Sequence, residues 1–287
     1  MIAHVAEASE ASGRVLLWLD PDAVAMPQTF EASVRIAAAY AADLETVIID
    51  RPSVCAVDGI PSAHVSLLGK VKPASGKASG ATDISLLLAE RQRRDVGAKA
   101  ARANVKVSHS SARGDAIDRL AEMCLARGPW NIVAVSRPPS TDLPGILSAI
   151  LANVSGATGV VVAGRGEKVL APDVAVIVED AERMPSMLRA GERLLMPGGK
   201  IHVMIAAETV SSYDELDAQV RLVAREFINI VHRPGSPDFG ITGTMDEELF
   251  RLRPGFVIAR FGGNLLGDTK ALTRLLAVAP GPMLLVR

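Results

Sequence analysis

Two stretches decide the fold of this chain: residues 15–20 read VLLWLD, and residues 174–178 read VAVIV. Both are apolar without alternation, which is typical of a parallel strand that is buried on both faces of its sheet. Each stretch is followed by a similar succession of amphipathic helices and short apolar strands. The second stretch therefore indicates that one structural unit occurs twice in the chain.

Each repeat is predicted to run β-α-β-α-β-α-β-α-β. The predicted strands are residues 14–20, 46–50, 105–109, 131–136 and 159–163 in the first repeat, and 174–178, 200–206, 228–231, 256–261 and 283–287 in the second. Strands that alternate with helices imply right-handed crossovers and parallel pairing. The predicted fold class is α/β, with two tandem doubly wound parallel five-stranded sheets and helices on both faces of each.

The length of the chain agrees with two domains, since 287 residues correspond to about two units of roughly 150 residues. We expect a first domain over residues 1–165 and a second over residues 172–287, with a charged, Gly-containing linker between them. Residues 51–81 are rich in Pro, Gly, Ser and Ala. This composition predicts a long loop or flexible insert within the first domain.

The composition favours a cytoplasmic protein with neither a nucleic-acid nor a membrane partner. Lys and Arg number 31 against 32 Asp and Glu, which leaves a formal net charge of −1 without a basic stripe. No apolar run approaches the roughly 18 residues that a transmembrane helix needs, and residues 1–13 lack the pattern of a signal peptide. The two cysteines form no Cys-x-x-Cys pair, which fits a reducing compartment.

Three segments resemble the universal stress protein family in its tandem two-domain form. Residues 15–20 are similar to the family's first strand, which ends in Asp. Residues 112–117 (ARGDAI), together with the strand at 131–135, are similar to its Gly-Asp turn and fourth strand. Residues 279–287 (APGPMLLVR) are similar to its closing segment. In the closing segment Gly281 replaces a Cys of the family pattern. The resemblance covers nearly the whole chain outside the N-terminal residues and the insert.

The resemblance implies an adenine nucleotide alpha hydrolase-like fold, with the first and fourth strands adjacent where the strand order reverses. It also implies that the final strands of the two domains pair, here residues 160–163 with residues 283–286, which protects two sheet edges. We expect this pairing within the chain and a protein partner of unknown identity. The resemblance also allows a homodimer.

Nucleotide-binding members of the family place an Asp after the first strand, near the adenosine. They hold the phosphates with a Gly-x2-Gly-x9-Gly-Ser/Thr loop after the fourth strand. Glycine lets backbone amides approach phosphate oxygens closely, and the N-terminus of the following helix adds positive potential.

The first repeat keeps the Asp as Asp20 but replaces the first two glycines by Val135 and Pro138. Pro138 also removes a backbone donor. The last position of the motif falls either on residues 147–148 or on residues 148–149. The remaining candidates for a phosphate in this repeat are Ser136, Arg137 and Ser148.

The second repeat has Glu179 where the Asp would stand. Arg260 occupies the first glycine position and Gly263 the second, and a shortened loop leaves either residues 267–268 or residues 269–270 for the last. The candidate binding residues of this repeat are Arg260, Gly262, Gly263 and Gly267.

These departures favour a non-enzymatic stress-response regulator or scaffold with a degenerate nucleotide site. The alternative is a sensor that binds ATP or another adenine nucleotide through one repeat, with Asp20 and residues 262–263 in its favour. A third hypothesis is an enzyme of a related nucleotide-binding fold, which would need a Ser-Gly-Gly-x-Asp-Ser or a His-x-Gly-His motif. The sequence contains neither motif, no Gly-x-Ser-x-Gly elbow and no His/Cys pair at metal spacing.

Overall fold

The computed structural model describes residues 13–20, 26–50, 80–126, 128, 130–136, 142–164, 171–207, 209–232, 244–263 and 269–287. Residues 51–79 of the predicted insert and most of the predicted linker lie outside these ranges, whereas residues 80 and 81, also predicted as insert, begin a helix. The domain boundaries proposed from the sequence therefore stay predictions.

Strands and helices alternate within each of the two repeats, and β5 and β6 follow one another where the repeats meet. The strands are β1 (Arg14–Leu19), β2 (Asp43–Asp50), β3 (Val107–Arg113), β4 (Asn131–Val135), β5 (Ala157–Val162), β6 (Val174–Val178), β7 (Ile201–Ile205), β8 (Ile230–His232), β9 (Phe256–Arg260) and β10 (Met283–Val286). The helices are α1 (Pro27–Ala39), α2 (Gly80–Arg102), α3 (Ala116–Leu125), α4 (Leu143–Asn153), α5 (Met184–Leu194), α6 (Val210–Val223), α7 (Thr244–Leu252) and α8 (Thr269–Val278), and a 3-10 turn (Ala224–Glu226) follows α6. This alternation confirms the predicted α/β class.

The described strands form one ten-stranded sheet in the order β3-β2-β1-β4-β5-β10-β9-β6-β7-β8. Within each repeat all neighbouring strands are parallel. The order is β3-β2-β1-β4-β5 in the first repeat and β8-β7-β6-β9-β10 in the second, so the two halves have the same winding. The order reverses between β1 and β4 and again between β6 and β9, as predicted for two doubly wound units.

Strands β5 and β10 join the two repeats, and we call their junction the seam. They are antiparallel, with Gly159 opposite Val286 and Val162 opposite Met283. The predicted pairing of the two final strands is thereby confirmed, with residues 159–162 paired in place of the predicted 160–163. Because the seam pairs these strands, only β3 and β8 are left as edge strands of the described sheet.

Two apolar layers cover the sheet, and both continue across the seam. Val161 and Leu284 belong to one layer, while Val160 and Leu285 belong to the other, because successive residues of a strand point to opposite faces. Helices α1 and α5 contact each other on one face, and α4 and α8 do so on the other. The two repeats therefore share one double-faced core.

Backbone segments approach closely at the seam. A Cβ atom at Gly164 would lie 2.1 Å from the carbonyl oxygen of Gly281 and 2.7 Å from that of Ala279. The buried side chain of Gln28 accepts a hydrogen bond from the Gly164 amide at 3.1 Å and donates one to the Pro280 carbonyl at 3.5 Å. Gln28 thus links the segment after β5 to the segment before β10.

The last residue of the chain caps a helix of the first repeat. The guanidinium of Arg287 donates hydrogen bonds to the carbonyl oxygen of Leu151 and, at 3.1 Å, to that of Ser155. Carbonyl groups at the end of a helix have no partner within the helix, and a cation near them is favourable. The second repeat therefore stabilises the C-terminal end of α4.

The structure corrects the third strand of each repeat: β8 spans Ile230–His232 instead of residues 228–231, and the larger change is in the first repeat. The sequence predicted residues 105–109, whereas β3 spans Val107–Arg113. Because β3 is an edge strand, most of its residues are exposed and polar, so that its second half resembles a loop in the sequence. His109 consequently lies inside β3, where its Nδ1 atom is 2.6 Å from the hydroxyl oxygen of Thr46 on β2.

The opposite edge strand, β8, is held by a charged group on α6. The Asp217 carboxylate accepts a hydrogen bond from His232 at the end of β8 and another, at 2.7 Å, from Arg221. Burial raises the pKa of Asp217, but the hydrogen bonds and positive charges of Arg221 and His232 outweigh burial and lower it. A carboxyl group whose pKa is lowered by folding stabilises the fold above its unfolded value of about 4, and this contribution is lost as the pH falls through the folded value.

We therefore expect Asp217→Asn to be less stable than the wild type at pH 7 by up to about 1 kcal/mol, as is usual for pairs near the surface. The difference should shrink as the pH falls below about 4, where the wild-type carboxylate is itself protonated. Urea unfolding over a series of pH values measures this. Asp214→Asn, on the exposed side of the same helix, is the matched control. A stability gap for Asp217→Asn that does not change with pH would contradict the assignment.

Candidate functional site

The candidate sites lie at the two positions where the strand order reverses. In open α/β sheets, ligands bind outside the carboxyl ends of the strands at such positions. The first switch point is formed by the ends of β1 and β4, and the second by the ends of β6 and β9. Most of the candidate residues from the sequence fall at these two positions.

At the first switch point, Asp20 follows β1 and Ser136 follows β4, and both are buried. The Ser136 hydroxyl donates a hydrogen bond to the carbonyl oxygen of Trp18 at 2.7 Å, and the Ser136 amide donates to the same oxygen at 3.3 Å. The Ser136 carbonyl accepts from the amide of Met26 at 3.1 Å. Both donors of Ser136 are therefore directed at the neighbouring strand.

Ser148 lies in the interior of α4 and is exposed, while Leu147 beside it is buried. The anion-binding end of this helix is its first turn, which begins at Leu143. Pro144 removes one amide donor from that turn, and the acidic Asp142 immediately precedes it. The helix N-terminus is thus poorly suited to a phosphate. Arg137, the remaining candidate of this repeat, lies outside the described residues.

At the second switch point, a carboxylate of the chain itself lies against the glycine segment that follows β9. A Cβ atom at Gly263 would lie only 2.0 Å from Oε2 of Glu179. The Glu179 carboxylate therefore packs directly on the backbone of Gly263. Gly262 is exposed and has left-handed backbone with φ of +76°. Gly267 lies outside the described residues.

The cation of the second switch point is bound within the chain. Arg260, at the end of β9, donates a hydrogen bond to the carboxylate of Asp180 and forms an ion pair with it. With Glu179 beside this pair, the three side chains carry one positive and two negative charges.

Sequence reasoning placed Glu179 at this switch point but missed its packing on Gly263, and it missed Asp180 as the partner of Arg260. Glu179 and Asp180 come directly after β6, and Arg260 ends the neighbouring strand β9, where Ile177 pairs with Ala259. An acidic pair and a basic residue at the ends of adjacent strands are a signal for an ion pair. That signal becomes visible only once β6 and β9 are known to be neighbours.

The described ranges contain neither a cluster of metal ligands nor a helix that could cross a membrane. No group of three or more His, Cys, Asp or Glu side chains within them is placed to hold a metal ion. None of the helices in those ranges combines the length and the apolar character needed to span a bilayer.

Comparison with known proteins identifies similar structures but no similar sequences. No family model matches the chain, and no curated protein matches it. The crystal structure of a universal stress protein from Archaeoglobus fulgidus DSM 4304 matches with a TM-score of 0.57 at 12% identity, covering 95% of this chain and 96% of that chain. A proposed universal stress protein from Pseudomonas aeruginosa UCBPP-PA14 matches with a TM-score of 0.52 at 14% identity, covering 96% of this chain and 93% of that one.

A third similar structure is the cytoplasmic domain of a prokaryotic cation chloride cotransporter. Its TM-score is 0.54 at 12% identity, and the match covers 96% of this chain and 95% of that domain. At such low identities the three matches establish the fold and not the activity. Because each match covers nearly the full length of both chains, the likeness extends to the tandem arrangement as a whole.

Proposed function

Because the chain has the fold of the universal stress proteins, we propose that it is a non-enzymatic stress-response regulator or scaffold whose two nucleotide sites are degenerate. The observation that carries this proposal is the occupation of both switch points by groups of the chain itself. Ser136 is bonded to Trp18, the Glu179 carboxylate packs on Gly263, and Arg260 is paired with Asp180.

The energetic consequence of these contacts is large on the scale of nucleotide affinity. A hydrogen bond to a charged group contributes about 1.5–3 kcal/mol. Losing two such bonds to phosphate weakens binding about a hundredfold or more, at roughly 1.4 kcal/mol per tenfold. A site of micromolar affinity would thus become millimolar, which favours a scaffold over a sensor.

Calorimetric titration of ligand-free protein with ATP and Mg²⁺ tests this proposal. We expect no saturable binding below about 1 mM nucleotide. Micromolar binding would instead establish the alternative, a sensor of ATP or another adenine nucleotide. In that case Asp20→Ala would assign the ligand to the first switch point if it abolished binding, and to the second if it did not.

The likeness to the cotransporter domain supports a second candidate function, namely a cytoplasmic domain that assembles with a membrane transporter. The observation in its favour is the nearly complete coverage of both chains. Fractionation of cells that express the native chain distinguishes the two candidates. Recovery in the soluble fraction favours the scaffold, whereas recovery in the membrane fraction until detergent is added favours the transporter-associated domain.

A further inference from the structure

A pocket at the seam, at the opposite end of β4 from the first switch point, has the features of a separate ligand site. It encloses about 260 Å³. Its floor is formed by the sheet, with Ile132 on β4, Gly159 on β5, and Leu284 and Val286 on β10. Its floor and walls come from both repeats, so that the pocket exists only because the seam is formed.

The first repeat supplies an aromatic wall. Tyr40 follows α1 and Trp130 precedes β4, and their ring centroids are 5.0 Å apart with an interplanar angle of 37°. Both rings are half-buried and line the pocket. Tilted and offset arrangements of this kind leave ring surface on which another planar group can pack.

The second repeat supplies a cationic wall from a single face of α5. Ser186, Arg189, Ala190 and Arg193 line the pocket, and their spacing of i, i+3, i+4 and i+7 places them in one stripe along the helix. The Arg193 guanidinium lies 4.9 Å from the centroid of the Tyr40 ring. This contact closes one side of the pocket and joins its two walls.

The charge of the cationic wall is not neutralised by the residues that the structure describes. Arg189 and Arg193 are both exposed, and neither forms an ion pair within the described ranges. Like charges at i and i+4 destabilise a helix, so an anion bound between them would relieve this repulsion. Planar guanidinium groups bind carboxylates in bidentate geometry.

We propose that this pocket binds a small aromatic carboxylate. The ring packs against Tyr40 and Trp130 over the apolar floor, and the carboxylate accepts hydrogen bonds from Arg189 and Arg193. The volume of about 260 Å³ lies below the usual range for drug-sized ligands, which favours a single ring over a nucleotide. The proposal does not depend on the state of either switch point.

Ligand-observed saturation-transfer NMR and calorimetry with benzoate as the probe test this proposal on the full chain. We expect saturable binding with a dissociation constant of about 0.1–1 mM, as for a fragment-sized ligand. Benzyl alcohol, which has the ring without the charge, and acetate, which has the charge without the ring, should each bind at least about tenfold more weakly.

Three protein variants locate the binding. Arg189→Gln and Arg193→Gln should each weaken benzoate binding by about fivefold or more, since each removes a charged donor. Ala190→Leu should abolish it by filling the pocket without changing the charge. Arg94→Gln, at an exposed position on α2, is the control and should bind as the wild type does. Circular dichroism melting curves verify that all four variants are folded.

Three results would each overturn the proposal: no saturation up to about 10 mM benzoate, equal binding of benzyl alcohol, or unchanged binding by the Ala190→Leu variant. ATP is titrated in a separate experiment that concerns the switch points. Failure of the benzoate site and failure of the proposed function are therefore distinguishable.

Discussion

Glu45→Ala is expected to lower the free energy of unfolding by about 3–5 kcal/mol, the usual cost of breaking a buried ion pair by removing one partner. Glu45 on β2 binds Nη1 of Arg14 on β1 at 2.5 Å, and the two side chains are only 2% and 6% exposed. Nη2 of Arg14 also donates to the Met123 carbonyl at 2.6 Å. Without Glu45, the Arg14 guanidinium would remain buried with its charge uncompensated.

A matched control for this prediction exists in the same protein. Lys99 and Glu31 form an ion pair with the same separation of 2.5 Å, but their side chains are 32% and 31% exposed. Glu31→Ala should therefore cost at most about 1 kcal/mol. Urea unfolding of both variants compares the effect of burial at equal distance.

The double variant Arg14→Met/Glu45→Leu separates the loss of the ion pair itself from the cost of leaving the Arg14 charge buried without a partner. Because it removes both buried charges, it should be markedly more stable than Glu45→Ala alone. Two results would contradict this account of the pair. One is a Glu45→Ala variant whose free energy of unfolding lies within about 1 kcal/mol of the wild-type value. The other is a double variant whose loss of stability equals the sum of the losses measured for Arg14→Met and Glu45→Leu alone.

Gly164→Ala is expected to destabilise the protein by about 3 kcal/mol or more, at or above the upper end of the range for overpacking. The added methyl group would overlap the carbonyl oxygen of Gly281 at 2.1 Å. Because this neighbour is backbone, relief requires a shift of the segment before β10, and the Gln28 hydrogen bonds would be lost with it. Chemical denaturation measures the change.

Gly97→Ala provides the comparison for this second substitution. Gly97 lies inside α2, and a Cβ atom there would meet nothing within 4 Å. Alanine should stabilise this position by about 0.5–1 kcal/mol.

In Gly164→Ala, hydrogen exchange should report loss of protection first in β5 and β10. A Gly164→Ala variant as stable as the wild type, with unchanged protection at the seam, would contradict the shared core.

Much of the fold was predictable because parallel strands buried on both faces have a strong sequence signal. The apolar runs of β1 and β6 place the start of each repeat, and the residue after each run falls at a switch point. Edge strand β3 was predicted only in part, because an exposed strand carries polar residues that also occur in loops. The pairing of β5 with β10 was expected from the family resemblance alone.

The contacts that decide the chemistry of the candidate site were less accessible to sequence reasoning. The sequence identifies Gly263 and Glu179 as occupants of two motif positions, but not the packing of one on the other. Arg260 was named as a candidate binding residue, and nothing in the local sequence indicates its partner Asp180, 80 positions away. Such contacts depend on strand order and side-chain reach, which periodicity does not encode.

The proposal that both nucleotide sites are degenerate implies that the purified protein carries no adenine nucleotide. Mass spectrometry of the small molecules released when freshly purified protein is denatured tests it most directly. The account predicts far less than one equivalent of any adenine nucleotide per chain. Release of a stoichiometric amount of ATP, ADP or AMP would contradict it.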